Sequence, residues 1–83
     1  MTYEILWADE AFAAAQAFMT DDPIGLAKVF DTVDDLTTHP RPPEAKPWGS
    51  SGFLRLRVDR YRVLYEIDDQ HIRIDVIHLG RGG

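Results

Sequence analysis

The sequence contains no cysteine, and it therefore offers neither a disulfide framework nor a thiolate ligand for a metal ion. Its three histidines are dispersed without the spacing of metal ligands, so neither a metal nor another cofactor is predicted. No apolar run approaches the roughly 18 residues that span a membrane, and the N-terminus lacks a basic start followed by an apolar stretch. These absences predict a soluble protein that has no membrane partner and works in the reducing cytoplasm.

Basic residues are also scarce. The chain of 83 residues has nine lysines and arginines against fourteen acidic residues, which gives a net charge of −5. A non-specific nucleic-acid binder is normally basic overall, so this balance disfavours a strong electrostatic grip on RNA. The length and the 45% of hydrophobic residues suffice for one modest core, and we predict a single domain over residues 1–83.

The few basic residues are unevenly distributed along the chain. Residues 1–50 carry nine acids against three bases, whereas residues 51–83 carry six arginines against five acids. Four of these arginines fall within the stretch FLRLRVDRYRVLYEI, namely Arg55, Arg57, Arg60 and Arg62. We therefore expect an acidic helical half and a basic patch on strands, with opposite electrostatic potentials.

The first part of the chain predicts a strand and a helix. Residues 2–7 alternate in polarity and are rich in β-branched and aromatic side chains, which is typical of a strand. Asp9 is predicted to cap a first helix that runs through about Met19. The spacing of apolar residues on this helix predicts one buried edge, formed by Phe12, Ala15, Gln16 and Met19.

The second helix, a loop and three strands follow. Asp22 and Pro23 predict the N-cap and first position of a helix that runs to about Thr37, with a buried stripe of Leu26, Val29, Phe30, Val33 and Leu36. The stretch 39–52 holds four prolines and two glycines and predicts a loop without regular structure. Strands are predicted at about 53–58, 61–67 and 71–79. The β-α-α-β-β-β order predicts an α+β domain, with the helices on one face of a mainly antiparallel four-stranded sheet.

Alternation along the predicted hairpin places several arginines on one face of the sheet. If the apolar positions face the helices, Arg55, Arg57 and Arg62 project together from the opposite face. Clustered guanidiniums repel one another unless an anion lies among them, and their planar forks suit a phosphate group. In the alternative, they are solubilising residues on a wet face and pair with Glu66 or Asp75. The spacing alone does not decide between the two interpretations.

Two further side chains near the predicted hairpin each have two interpretations. Simple alternation places His78 with Ile74 and Val76 toward the helices, as a structural or exposed histidine. It is also the group near the arginines that titrates close to neutral pH, and a twist of the strand end would bring it to them. Trp48 is predicted to pin the proline-rich loop onto the domain, with stacking on a nucleobase as the alternative. Tyr61 and Tyr65 lie on the same side of their predicted strand as Val63 and are predicted to be buried in the core.

Four stretches in this order resemble the RelE/ParE superfamily of type II toxin–antitoxin toxins: TYEILWADEAF, HPRPPEAK, LRLRVDRYRVLYEI and RIDVIHLGR. The resemblance covers nearly the whole chain and implies the same β-α-α-β-β-β fold. RelE-like members cut mRNA on the translating ribosome without a metal, whereas ParE-like members poison DNA gyrase. The resemblance therefore implies a cognate RelB-like antitoxin as a partner, with operator DNA bound only by the toxin–antitoxin complex.

The resemblance also implies roles for individual residues. Arg62 matches the arginine that contacts the scissile phosphate in RelE-like toxins, and Arg55 and Arg57 fall where these toxins have basic residues on the second strand. From the clustering of the arginines we further hypothesise that Arg55 and Arg57 position the RNA. Arg81, and His78 as the residue that titrates near neutral pH, complete the predicted catalytic set.

Past Arg81 the family pattern continues with a second basic residue and a catalytic tyrosine, whereas this sequence has Gly82 and Gly83. The resemblance thus implies a weak mRNA interferase that acts on ribosome-bound message. The alternatives are a non-enzymatic gyrase inhibitor, and a degenerate toxin that retains antitoxin binding and autoregulation.

Overall fold

In the computed structural model, which describes residues 2–82, two helices pack against a five-stranded mixed sheet. The elements are β1 (Glu4–Trp7), α1 (Asp9–Asp21), α2 (Pro23–Asp35), β2 (Lys46–Pro47), β3 (Leu54–Val58), β4 (Tyr61–Asp68) and β5 (Arg73–Arg81). The strands lie in the order β1-β5-β4-β3-β2, with β1 parallel to β5 and every other pair antiparallel. The predicted α+β architecture is confirmed.

The fifth strand comes from the segment that was predicted to lack regular structure. Lys46 and Pro47 pair with Arg55 and Leu54 and form the short strand β2 at the edge of the sheet. Proline cannot donate a hydrogen bond to a neighbouring strand, but an edge strand has only one neighbour to satisfy. The prolines of this segment therefore exclude an inner strand and do not exclude an edge strand.

Helix α1 differs from its prediction in both its cap and its buried face. Ala8 occupies the N-cap without a side-chain hydrogen bond, and Asp9 lies inside the first turn, where its carboxylate interacts favourably with the helix dipole. The residues that face the core are Ala11 and Ala15, whereas Phe12 is 49% exposed. Small side chains let the helix lie close to the sheet; Phe12 and Met19 remain exposed, whereas Phe18 packs against Tyr61 at the edge of the core.

Helix α2 begins as predicted. The Asp22 carboxylate accepts a hydrogen bond from the Gly25 backbone N–H at 3.1 Å, and Pro23 occupies the first helical position. The regular helix ends at Asp35, and residues 36–38 form a turn rather than the predicted last helical residues. The predicted stripe packs into the core: Leu26, Val29, Val33 and Leu36 are buried and Phe30 is partly buried.

The core lies between the helices and the inner face of the sheet. Tyr61 and Tyr65 are buried in it, as predicted, and each hydroxyl has a partner. Tyr61 donates to the Asp22 carboxylate at 2.8 Å, and Tyr65 donates to the Pro40 carbonyl at 2.8 Å. Burial raises the pKa of Tyr65 to about 12. Both phenols therefore tie the sheet to the segments that lie over it.

Strand β5 runs from Arg73 to Arg81, two residues later than the prediction at each end. Its start is delayed because Ile72 has a φ of +51°, a left-handed conformation that belongs to a turn and not to a strand. Among residues 2–82, no helix is long and apolar enough to cross a membrane.

Candidate functional site

A β-bulge in β5 decides which way His78 points. Leu64 of β4 lies opposite His78, but the next residue, Tyr65, lies opposite Val76, so Ile77 is an extra residue in β5. The insertion reverses the alternation, and Leu79 is buried in the core while His78 is exposed. The expectation that His78 faces the helices is therefore wrong. Its imidazole lies beside Leu64 on the sheet face opposite the helices, called here the open face, and its Nδ1 is 3.8 Å from the carboxylate of Glu10 in the first turn of α1.

The open face carries a shallow depression of about 380 Å³, which we call the arginine pocket. Three strands and the segment that follows β2 contribute its lining residues: Trp48, Arg55, Arg62, Leu64, His78, Gly80 and Arg81. Three of the four predicted arginines, Arg55, Arg62 and Arg81, thus line one pocket together with the predicted histidine. Arg62 lies opposite Gly80 in the β4–β5 register, and Arg55 lies opposite Leu64 in the β3–β4 register.

The arginines of the chain divide into two groups by their ion pairs. Four have a carboxylate within 4.0 Å: Arg41, Arg60, Arg73 and Arg81. Arg55, Arg57 and Arg62 have no carboxylate at that distance within residues 2–82. The three without a carboxylate are those that alternation predicts on the open face.

The alternative interpretation, in which local acids neutralise these arginines, does not describe the structure. Asp75 lies 3.0 Å from the guanidinium of Arg73, at the far end of β5. Arg57 and Arg62 are direct cross-strand neighbours, an arrangement of like charges that destabilises a sheet. Within the described part of the chain, the open face therefore keeps positive charge that packing and stability do not explain.

Two glycines, one near the end of β5 and one just after it, leave room for the side chains in this pocket. A Cβ atom on Gly80 would lie 3.2 Å from Nε2 of His78, and a Cβ atom on Gly82 would lie 3.3 Å from a terminal nitrogen of Arg62. The Gly82 N–H donates to the Arg60 carbonyl at 2.6 Å and holds the segment beside β4. The glycine that replaces the expected basic residue at position 82 thus lies against the Arg62 guanidinium.

Comparison with known families identifies the protein. A model described as the ParE toxin of type II toxin–antitoxin systems, parDE, matches residues 22–83, three quarters of the chain. The chain belongs to the ParE toxin family. It is a toxin of a type II toxin–antitoxin system, within the RelE/ParE superfamily that the sequence resembles.

Solved structures of such toxins have the same fold as this ParE-family toxin. The toxin–antitoxin complex RelBE2 from Mycobacterium tuberculosis matches with a TM-score of 0.82 and 25% identity, over 98% of this chain and 99% of that one. The archaeal RelE–RelB complex from Pyrococcus horikoshii OT3 matches at 0.81 and 22%, over 100% and 98%. A chromosomal ParDE system from P. aeruginosa matches at 0.80 and 12%, over 99% and 98%. No curated protein sequence has a significant match to this chain.

The side chain of Arg57 leaves the arginine pocket of this ParE-family toxin. Its Nε donates to the Asp59 carbonyl at 3.1 Å, and its side chain lines a second, larger depression of about 750 Å³ beside the proline-rich loop. That depression also contains Asp35 and Glu44, so it has no excess of positive charge. The predicted trio of arginines thus shares one sheet face by strand position, but the side chain of Arg57 turns toward the end of α2 and only Arg55 and Arg62 share the pocket.

Arg81 lines the arginine pocket, and its guanidinium is also held by helix α1. The guanidinium donates to Asp21 of α1 at 2.6 Å and lies 4.7 Å from the ring centroid of Phe18. The hydrogen bond to the Asp21 carboxylate raises the pKa of Arg81. In this ParE-family toxin Arg81 therefore binds the helical layer and fixes the end of β5 at the rim of the pocket that it helps to line.

Sequence reasoning missed the bulge and the space that Gly80 and Gly82 leave for the side chains of the pocket. The signal for the bulge is present in the sequence, because apolar residues occur at 74 and 76 and then at 77 and 79. When the apolar positions of a strand shift from even to odd numbers, the alternation is interrupted, which indicates an extra residue. The other two histidines, His39 and His71, are exposed, and His71 also contacts Asp68 at 2.8 Å.

Proposed function

We propose that this ParE-family toxin is a ribonuclease that cleaves ribosome-bound mRNA and is held inactive by a cognate RelB-like antitoxin. The observation that carries the proposal is the position of His78 in the same pocket as Arg55 and Arg62. RNA cleavage needs positive charge to bind the phosphate and a titratable group to move a proton. A surface that only binds another protein needs neither of them.

The proposed reaction is an intramolecular transesterification. The neutral imidazole of His78 accepts the proton of the 2′-hydroxyl, and the 2′ oxygen attacks the adjacent phosphorus. The bond from phosphorus to the 5′ oxygen breaks, which leaves a 2′,3′-cyclic phosphate and a 5′-hydroxyl that takes its proton from water. His78 returns its proton to the solvent, so no proton is gained or lost overall.

The arginines supply charge in this proposal and not proton transfer, because guanidinium stays protonated at working pH. Arg62 stabilises the negative charge that develops on the phosphate oxygens, while Arg55 and Arg57 position the RNA along the open face. Removal of one such charge-stabilising donor typically lowers an enzymatic rate by about 10²- to 10³-fold. Arg81 acts indirectly, since its bond to Asp21 fixes the strand end that carries His78.

The test compares two arginines of one hairpin. Wild type, Arg62→Ala and Arg60→Ala are added to a reconstituted bacterial translation reaction with a defined mRNA, and cuts are mapped by primer extension. Arg60 is the matched control because its guanidinium pairs with Asp22, 3.3 Å away. We expect discrete ribosome-dependent cuts that fall about 100-fold or more in Arg62→Ala and persist in Arg60→Ala. If Arg62→Ala cuts the mRNA as efficiently as wild type does, Arg62 has no role in the reaction.

Gyrase inhibition is the second candidate function, and the match to the ParE toxin model favours it. The same proteins are therefore tested for inhibition of gyrase supercoiling. Inhibition of gyrase with intact mRNA in the translation reaction would replace the ribonuclease proposal. If the folded protein shows neither activity, the result favours a degenerate toxin. The remaining role of such a toxin is to bind its antitoxin and, in that complex, operator DNA.

A further inference from the structure

Trp48 is a large apolar residue that the fold leaves on the surface. Its side chain is 45% exposed, and it belongs neither to the buried core nor to the partly buried residues packed against it. The other tryptophan, Trp7, belongs to that second group and contacts Phe30 with ring centroids 5.3 Å apart. Burial of apolar surface therefore explains the position of Trp7 and does not explain that of Trp48.

The loop around Trp48 is held by its backbone and not by the indole ring. The Trp48 N–H donates to the Phe53 carbonyl at 2.9 Å, and the Trp48 carbonyl accepts from the Ser51 hydroxyl at 2.6 Å. Gly49 and Gly52 have φ values of +59° and +86°, which close the turn without a side chain. The expectation that the ring pins the loop is thus not what the contacts show.

The indole forms part of the wall of the arginine pocket. The guanidinium carbon of Arg55 lies 5.5 Å from the centroid of the Trp48 ring, within the range of a cation–π contact. The same pocket contains Arg62 and His78. An exposed aromatic ring therefore lies beside the arginines that have no carboxylate partner within residues 2–82.

We propose that Trp48 is a stacking platform for an unpaired nucleobase next to the phosphate held by Arg55 and Arg62. Exposed aromatic rings next to cationic groups are the usual means by which proteins bind single strands, because every base offers a flat face. A base inside a duplex is already stacked on its neighbours and cannot take this position. The inference deepens the proposed function and rests on it, since it names single-stranded nucleic acid as the class of ligand for this pocket.

The test measures binding without cleavage. The probes are a short labelled oligoadenylate with 2′-O-methyl groups, which lacks the attacking hydroxyl, and an abasic oligomer of the same length and charge. Anisotropy is recorded for wild type, Trp48→Ala and Trp48→Phe, with Ile24→Ala as the control because Ile24 is 78% exposed on the helical layer. We expect Trp48→Ala to weaken binding of the oligoadenylate about tenfold and to leave the abasic oligomer unaffected. Trp48→Phe and Ile24→Ala should bind nearly as wild type does.

The possible results separate this inference from the ribonuclease proposal. Three results would each overturn the base-stacking role. Trp48→Ala could bind oligoadenylate as tightly as wild type does, it could lose as much affinity for the abasic oligomer as for oligoadenylate, or wild type could fail to bind oligoadenylate. A selective loss in Trp48→Ala together with undiminished cleavage by Arg62→Ala would support the platform and contradict the assigned reaction. The anisotropy measurement and the translation reaction thus test the two proposals independently.

Discussion

Gly80 has no side chain, and the space that this leaves is occupied by the imidazole of His78. A Cβ at position 80 would lie 3.2 Å from Nε2 of His78, so the ring must shift by a few tenths of an ångström in Gly80→Ala. Because a misplaced reacting group costs up to about 100-fold in rate, we expect cleavage to fall about tenfold or more. Primer extension in the translation reaction measures this loss, and thermal unfolding shows that the fold is retained.

The companion variant for this prediction is His78→Gln, which keeps a polar side chain and removes the group that accepts the proton. We expect its loss of cleavage to equal or exceed that of Gly80→Ala, and the double variant to be no worse than His78→Gln alone. Additive losses would mean that Gly80 acts on something other than His78. Undiminished cleavage by His78→Gln would assign the proton transfer to another group.

Single residues also show how far the candidate site is predictable from sequence. Alternation along the hairpin correctly places Arg55 and Arg62 on the open face, because parity depends only on local backbone geometry. It does not predict that Arg57 bends to the Asp59 carbonyl, or that Arg81 reaches Asp21 on a helix 60 positions earlier. The partners of long flexible side chains come from distant parts of the chain that only the tertiary structure brings close. The sheet face of a residue is therefore predictable from sequence, whereas its contacts are not.

The junction between α1, α2 and β4 depends on one carboxylate. Asp22 accepts hydrogen bonds from the Gly25 N–H and the Tyr61 hydroxyl and lies 3.3 Å from the Arg60 guanidinium. The hydrogen bond from Tyr61, followed by that from Gly25, lowers the pKa of Asp22 below its usual value. A carboxylate with a lowered pKa stabilises the fold above its unfolded pKa, and this contribution is lost as the pH falls through the folded value.

We therefore expect acid to destabilise the fold partly through Asp22. As the pH falls below about 5, through the ordinary pKa of an aspartate and then through the lowered folded value, the urea midpoint of wild type should fall as Asp22 becomes protonated. Asp22→Asn should lower the midpoint at neutral pH and make its decline at low pH shallower. Its amide can still cap Gly25, but its charge and one acceptor are gone. Asp22→Ala should lower the midpoint further, because it also removes the cap.

The matched control for this pH series is Asp31→Asn, which removes an exposed acid from the middle of α2. Its curve should run parallel to that of wild type. Parallel curves for Asp22→Asn and wild type would contradict the role of Asp22 in acid unfolding. The dependence would then belong to the other carboxylates with lowered pKa values, Asp68 and Asp69, which His71 and Tyr3 respectively stabilise by hydrogen bonds.

Helices and strands differ in how well the sequence predicts them. The start of α2 is fully predictable, because its cap and first proline are neighbours in the chain. The buried face of α1 is not, because alanines and phenylalanines both recur at helical spacing and only the distance to the sheet decides which of them fit inside. The bulge in β5 and the edge strand β2 depend on pairing with distant residues, so local patterns give at most a weak signal for either.

The acidic composition of the protein and its basic open face act on a ligand at different distances. With a net charge of −5, the protein repels a polyanion from afar, and the three arginines without carboxylate partners in residues 2–82 attract it only at close range. Salt screens the exposed charges on both layers, since the Debye length is about 10 Å at 0.1 M ionic strength. We thus expect weak binding of free RNA, with the ribosome supplying the high local concentration of message.

The number of phosphates held by the open face can be read from the salt dependence of binding. For three contacts to a single strand, the logarithm of the binding constant should fall against the logarithm of salt concentration with a slope of about −2, and Arg62→Ala should reduce the magnitude of that slope by about 0.7. The control is Lys28→Ala, because Lys28 belongs to α2 and pairs with Asp59 at 3.3 Å. It removes one positive charge without removing a phosphate contact, so its slope should equal that of wild type. Equal changes of slope in the two variants would mean that net charge, and not the open face, governs binding.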